Sequence, residues 1–186
     1  MKEWFKHNKT SIIELRRWLH QHPEIGFKEH MTSKKLKFLL KSIGYSIKQN
    51  NATKTGFFCD YGDKNGPTLA IRCDMDGLLI DENSNKSYIS KNKGVMHACG
   101  HDVHMSIVYG VAKYIKDLSP KINGKIRFIF QPAEEQAPGG AIDMINGDAI
   151  REVDHIVGAH VFPALSANKI GIKHGSVAAF VDMIEV

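Results

Sequence analysis

Residues Met96-His97-Ala98-Cys99-Gly100-His101-Asp102-Val103-His104 gather a thiol and three imidazoles around a glycine. Cys99 and His101 flank Gly100, and a residue without Cβ lets the backbone turn so that a thiolate and an imidazole face one ion. The same segment offers a rival arrangement, because His97 with His101 and His101 with His104 have helical spacings that would set them on one helix face. Gly100 disfavours a continuous helix through all of them. Cys99 and His101 are therefore the predicted metal ligands, His97 and His104 are lining or structural residues, and Asp102 is placed to orient a ligand histidine from behind. A lone histidine is ordinarily a surface or capping residue; the clustering is what argues for a metal here.

Carboxylates add to this set. Glu134 and Glu135 are adjacent, so their side chains diverge, and one can bind metal while the other carries protons. Asp74 and Asp76 follow an apolar run, where they either serve the chemistry or cap a turn. The runs Thr68 to Asp74, Lys125 to Gln131 and Asp154 to Val161 read as strands, and the unusual polar residues sit where each runs out: Asp74 and Asp76, Glu134 and Glu135, and His160. In open α/β sheets ligands bind at the carboxyl ends of the strands, so these groups are expected to meet in one crevice.

The elements that must position them alternate in type. Helices are expected over Asn8 to Gln21, Phe27 to Ile43 with Gly44 as C-cap, Asp102 to Leu118 packed through Val103, Ile107, Val108, Val111, Ala112 and Ile115, and Gly140 to Ile145. A further strand is expected over Gly56 to Tyr61, joined to Thr68 to Asp74 by Gly62-Asp63-Lys64-Asn65-Gly66-Pro67 in a hairpin-like connection. Lys169 to Lys173 and Val177 to Val186 also read as strands. Strands alternating with helices predict an α/β domain.

Four motifs carry a resemblance: His97-Ala98-Cys99-Gly100-His101-Asp102-Val103-His104, Phe130-Gln131-Pro132-Ala133-Glu134-Glu135, Gly139-Gly140-Ala141 and Gly158-Ala159-His160-Val161. With Arg16-Arg17-Trp18-Leu19-His20 and Pro23-Glu24-Ile25-Gly26-Phe27, the chain resembles the M20 metallopeptidases, in their aminoacylase and hippurate hydrolase branch. The resemblance implies a zinc-exopeptidase-like α/β domain with a mixed sheet flanked by helices. It implies two divalent metal ions, zinc or manganese with cobalt or nickel as substitutes, held by Cys99, His101, Glu135 and His160. Glu134 would be the general acid/base, with Asp74 and Asp76 also in the catalytic set. The implied reaction is hydrolysis of an N-acyl amino acid to a carboxylic acid and a free amino acid. The family's Asp-Ala-Leu-Pro stands here as Asp76-Gly77-Leu78-Leu79, without its proline. That glycine, with Met96 and Met105, resembles the N-acetyldiaminopimelate deacetylases of lysine synthesis.

The resemblance also implies an inserted lid domain, through which relatives dimerise, and a later segment that supplies a fifth ligand. Residues 1–175 are accordingly expected to be the N-terminal part of the catalytic domain and 176–186 the start of the lid, with the chain truncated there and of little activity alone. The alternative function is an inactive metal-binding fragment or one half of a split enzyme.

Composition bounds the rest. The 186 residues, 42% hydrophobic, suffice for one core. Three cysteines form no paired framework and no disulfide is expected, which fits a reducing, cytoplasmic setting. The net charge of +5 is spread over scattered lysines rather than a patch, so no nucleic-acid partner is expected. No run approaches the roughly 20 apolar residues of a membrane span, and the first residues lack a signal-peptide core.

Overall fold

The structure, a computed structural model, describes residues 1–63 and 65–176. Four helices and five strands follow in the order α1 (Lys2–Gln21), α2 (His30–Ser42), β1 (Ile47–Gln49), β2 (Phe57–Gly62), β3 (Thr68–Asp74), α3 (His101–Leu118), β4 (Lys125–Gln131), α4 (Gly140–Asn146) and β5 (His155–Gly158). The strands form one mixed sheet in the order β1-β2-β4-β3-β5. β1 with β2 and β2 with β4 are antiparallel, while β3 runs parallel to both β4 and β5. The α/β expectation holds, and so does its central consequence: β3, β4 and β5 point the same way and deliver their carboxyl ends to one edge.

The Gly62 to Pro67 connection is not a hairpin. β4 lies between β2 and β3, so that Lys125 pairs with Gly62 on one side and Thr68 on the other. β4, Lys-Ile-Arg-Phe-Ile-Phe-Gln, is the most completely buried strand, and a strand buried on both faces belongs at the centre of a sheet. The connection instead crosses the start of β4, packed so closely that a Cβ at Gly62 would collide with the Gly124 carbonyl.

Side chains of the sheet alternate between two cores. Phe57, Cys59, Cys73, Phe128 and Phe130 meet Leu15, Leu19, Leu36, Leu40, Met105, Val108 and Ala112 of α1, α2 and α3 on one face. Phe58, Ala70 and Ile129 meet Met144 and Ala149 on the other. Ile107, expected to pack, is exposed on α3, and Met105 is buried in its place.

Helix ends explain most of the shifted boundaries. α1 begins at Lys2 rather than Asn8, because Trp4 anchors the extra turns to α3, donating from Nε1 to Asp117 Oδ2 at 2.7 Å. α2 begins at His30 rather than Phe27, which lies in the left-handed region at φ 63. Glu24 supplies the cap from outside the helix, accepting the backbone N–H groups of Met31 and Thr32 at 3.0 and 2.8 Å. At the other end Gly44, at φ 88, closes the helix as expected: Gly44 N donates to Lys41 O and Tyr45 N to Leu40 O, a Schellman pair.

Two strand expectations change, and one strand was not expected. β1 is too short and polar to show in a pattern and exists by pairing with the edge of β2. The Asp154 to Val161 run forms a strand only over His155–Gly158. Lys169 to Lys173 is not a strand: Ile170 and Ile172 are exposed, and among the described residues no segment lies alongside to pair with it. The expected strand at Val177 to Val186 and nearly all of the 176–186 segment lie outside the described residues. No described helix is long and apolar enough to cross a membrane.

Candidate metal centre

Each site segment leaves the same sheet edge. β3 ends at Asp74 and runs on through Met75 and Asp76 into a short ladder, where Gly77 N donates to Glu24 O and Leu78 exchanges two backbone hydrogen bonds with Met96. A Cβ at Gly77 would press on Met96 O and Pro23 Cβ, so the glycine permits the close approach that carries the Met96 to Cys99 loop beside the strand end. Gly100 follows at φ 85 and α3 starts at His101, so the helix does not run through His97 and the purely helical histidine arrangement is not formed.

His101 stands at the centre of what results. It is 1% exposed, and neither ring nitrogen has a hydrogen-bond partner. Its Nδ1 lies 3.3 Å from Asp76 Oδ1, an ion-pair distance whose direction is off the hydrogen-bond line. Its Nε2 faces Glu135 Oε1 at 3.6 Å, Asp74 Oδ2 at 3.8 Å and Glu134 Oε2 at 3.9 Å. Cys99 and His160 close the other side, with Cys99 Sγ 3.3 Å from His160 Nε2. Donor atoms of Cys99, His101 and His160 lie within 4.8 Å of one another, as do those of His101, Glu134 and Glu135. All four predicted ligands and Glu134 are thus brought together around one imidazole.

The donor set fits divalent cations. A buried imidazole nitrogen facing three carboxylates and a thiol is stable only if positive charge lies between them. Burial would lower the His101 pKa, but Asp76, Asp74 and Glu135 raise it above its ordinary value, a proton taking the place a cation would fill. Burial and the charges of Glu135, Glu134 and Asp74 push the Cys99 thiol up to about 12. Burial and the neighbouring Glu135 raise Glu134. His160 donates from Nδ1 to Val161 O at 2.7 Å, which leaves its Nε2 lone pair turned toward Cys99.

The two aspartates lie behind this cluster, both buried. Asp76 accepts the backbone N–H of Glu135 on Oδ2 at 2.9 Å while its other oxygen faces His101. Asp74 accepts from Arg72 Nη1 and from His104 Nδ1, each at 2.7 Å. Burial opposes ionisation of both, yet His104, His101 and Arg72 hold Asp74 well below the carboxylate range, and His101 with the backbone of Glu135 and Glu134 lowers Asp76.

Asp102 departs from its expected place behind a ligand histidine. Its Oδ2 accepts from His20 Nδ1 at 2.8 Å and forms an ion pair with Arg16, whose Nε lies 2.8 Å away off the hydrogen-bond line, and so ties the first turn of α3 to α1. His20 reaches Glu82 Oε1 with Nε2 at 3.2 Å. Between two carboxylates that can only accept, His20 holds both protons, and its pKa is raised, chiefly by the Asp102 hydrogen bond. His97 is buried with both ring nitrogens unpartnered, and burial pushes it down to about 4. Arg72 and His20 are site-supporting residues that the sequence reading passed over. Arg72 is two positions before Asp74 on the same strand face, a readable signal, whereas nothing local links His20 to Asp102.

Known proteins resemble the chain over this same ground. An N-acyl-L-amino acid amidohydrolase of Geobacillus stearothermophilus is 42% identical over 94% of this chain and 47% of its own length. An N-acetyl-L-cysteine deacetylase of Bacillus subtilis is 41% identical over 96% of this chain and 42% of its own. The crystal structure of a Bacillus subtilis protein described as a dinuclear metal binding peptidase from the M20 family superposes with a TM-score of 0.86 at 40% identity, covering 91% of this chain and 48% of that one. The chain therefore spans about half the length of the relatives it matches, or a little less. The profile of peptidase family M20/M25/M40 matches residues 70–184, from β3 through every member of the cluster, and the chain belongs to that family.

Proposed function

We propose that this chain carries the metal-binding half of an amidohydrolase that removes the acyl group from an N-acyl amino acid. The observation that carries the reading is His101: a buried imidazole, unpartnered, with Cys99 and His160 on one side and Glu134 and Glu135 on the other. Cys99, His101, Glu135 and His160 are the proposed ligands of two divalent cations, the count being supported by the relative described as a dinuclear metal binding peptidase. Thiolate, imidazole and carboxylate suit zinc, manganese, cobalt or nickel. Cations held there supply a Lewis acid for the scissile carbonyl and bring the pKa of the attacking water to about 7.

Glu134 is the proposed proton carrier. Its carboxylate is partly exposed, so a substrate can reach it, and its raised pKa brings it closer to the operating pH where proton transfer is effective. It accepts the proton of the attacking water and returns it to the amine nitrogen as the C–N bond breaks. Asp76 holds His101 and the Glu135 backbone in place for this, and Asp74 holds His104.

Residues 1–175 are proposed as part of the catalytic domain and 176–186 as the start of the lid. The chain spans about half the length of the relatives it matches, so metal binding rather than turnover is the first measurement. Zinc should bind with Cys99→Ala and His101→Ala abolishing tight binding, and Glu134→Gln should keep the metal while removing any hydrolysis of N-acetyl amino acids, N-acetyldiaminopimelate among them. Zinc bound equally well by the Cys99 and His101 variants would overturn the proposal.

A further inference from the structure

His104 is buried in the first turns of α3 with both ring nitrogens engaged. Asp74 Oδ1 only accepts, so Nδ1 at 2.7 Å carries the imidazole proton. Nε2 is then bare, and the backbone N–H of Val161 donates to it at 3.0 Å. Arg72 fixes the far side of Asp74 through Nη1 and reaches Gln131 Oε1 with Nε at 2.9 Å. A continuous chain of hydrogen bonds therefore runs from the ends of β3 and β4, through His104, to the peptide that joins His160 to Val161.

That peptide needs a hold. β5 ends at Gly158, and His160 and Val161 lie beyond it in exposed chain, with no ladder among the described residues to fix them. Gly100 provides a second contact, since a Cβ there would collide with Val161 Cγ2. The His104 and His160 rings meet edge-on with centroids 4.5 Å apart. Because both of its nitrogens are occupied, His104 is not free to ligate, although its donor atoms group with those of Asp74 and His101.

We infer that His104 is a positioning residue: by accepting the Val161 N–H in its Nδ1-protonated tautomer, it sets His160 against Cys99 and so completes the metal site. This rests on the metal-site reading above. Groups that orient a ligand without touching the metal are worth roughly 10–100-fold in affinity.

Cobalt(II) titration of the 186-residue chain tests it, followed by thiolate-to-cobalt absorption from Cys99 and by competition with a chelating dye. His104→Phe keeps the ring but loses donor and acceptor, and should weaken cobalt about 10–100-fold. His104→Gln, with an amide NH2 to donate and a carbonyl oxygen to accept, should recover much of that loss. Val161→Pro removes the donated N–H at a half-exposed position and should weaken cobalt to a similar degree, independently of any effect of the His104 variants on folding. If His104 acts through His160, the His104→Phe/His160→Ala pair binds no more weakly than His160→Ala alone, whereas a merely structural role makes the losses multiply. Unchanged affinity in His104→Phe or Val161→Pro, or multiplicative losses, overturns the inference while leaving the metal site standing. Failure of the parent chain to bind cobalt overturns the site reading itself.

Discussion

Asp76 joins two of the proposed ligands through one carboxylate. Its Oδ2 receives the backbone N–H of Glu135, and its Oδ1 lies 3.3 Å from His101 Nδ1. A carboxylate on one ring nitrogen fixes the tautomer and increases the basicity of the other, which here is the Nε2 that faces the cluster. Asp76→Asn keeps an oxygen for the Glu135 N–H but removes the charge that His101 senses. Zinc affinity, measured by dye competition, should fall about 10–100-fold while the chain stays folded. Affinity equal to that of the parent would mean that His101 is oriented by its helix alone.

At the scale of elements, β2 and β4 are joined by more than their ladder. Arg127 donates to both oxygens of Asp60, from Nε at 2.8 Å and Nη2 at 3.1 Å, and from Nη1 to the Ala149 and Arg151 carbonyls. Arg127→Met leaves the partly buried Asp60 with Lys48 alone, whose Nζ lies 2.8 Å from its Oδ2, and should cost about 1.5–3 kcal/mol in urea unfolding. The pH sign follows from Asp60, whose pKa burial would raise but which Arg127 and Lys48 bring below its ordinary value. A carboxyl lowered on folding stabilises above its unfolded pKa, about 3.9, and loses that contribution as pH falls toward the folded value. The gap between parent and Arg127→Met should therefore narrow below about pH 4, and a constant gap would assign the cost to packing alone. This pair also marks where the sequence ceased to be legible. Apolar runs bounded by turn residues placed β2, β3 and β4 within a residue of their ends, and strand-end logic collected Asp74, Asp76, Glu134, Glu135 and His160. Neither reveals which strand lies beside which: the hairpin assumption put β3 next to β2, in the place that β4 and its Arg127 take. Asp102 with His20 failed for the same reason, since a bond between residues 82 positions apart leaves no local trace.

The whole molecule is held together unevenly. One core joins α1, α2 and α3 to the sheet and a smaller one serves α4, but the four residues of β5 are all exposed and His160 lies beyond them. Metal binding would tie that outer segment to the rest, because the proposed ligands come from the loop before α3, the start of α3, the segment after β4 and the segment after β5. Anything that binds only the folded chain stabilises it by RT ln(1 + [L]/Kd), about 2.7 kcal/mol at a hundredfold excess over Kd. For a chain of this length each kcal/mol moves Tm by roughly 2–4 °C, so zinc should raise the midpoint by about 5–10 °C. Hydrogen exchange should slow together in residues 155–161 and in the first turn of α3, since a shared ion makes their opening one event rather than two. EDTA should reverse both effects, and Cys99→Ala should show neither. A zinc-induced rise in Tm that persists in Cys99→Ala, with residues 155–161 exchanging as fast as before, would place the bound ion elsewhere on the surface and separate the stability of this chain from the cluster at its strand ends.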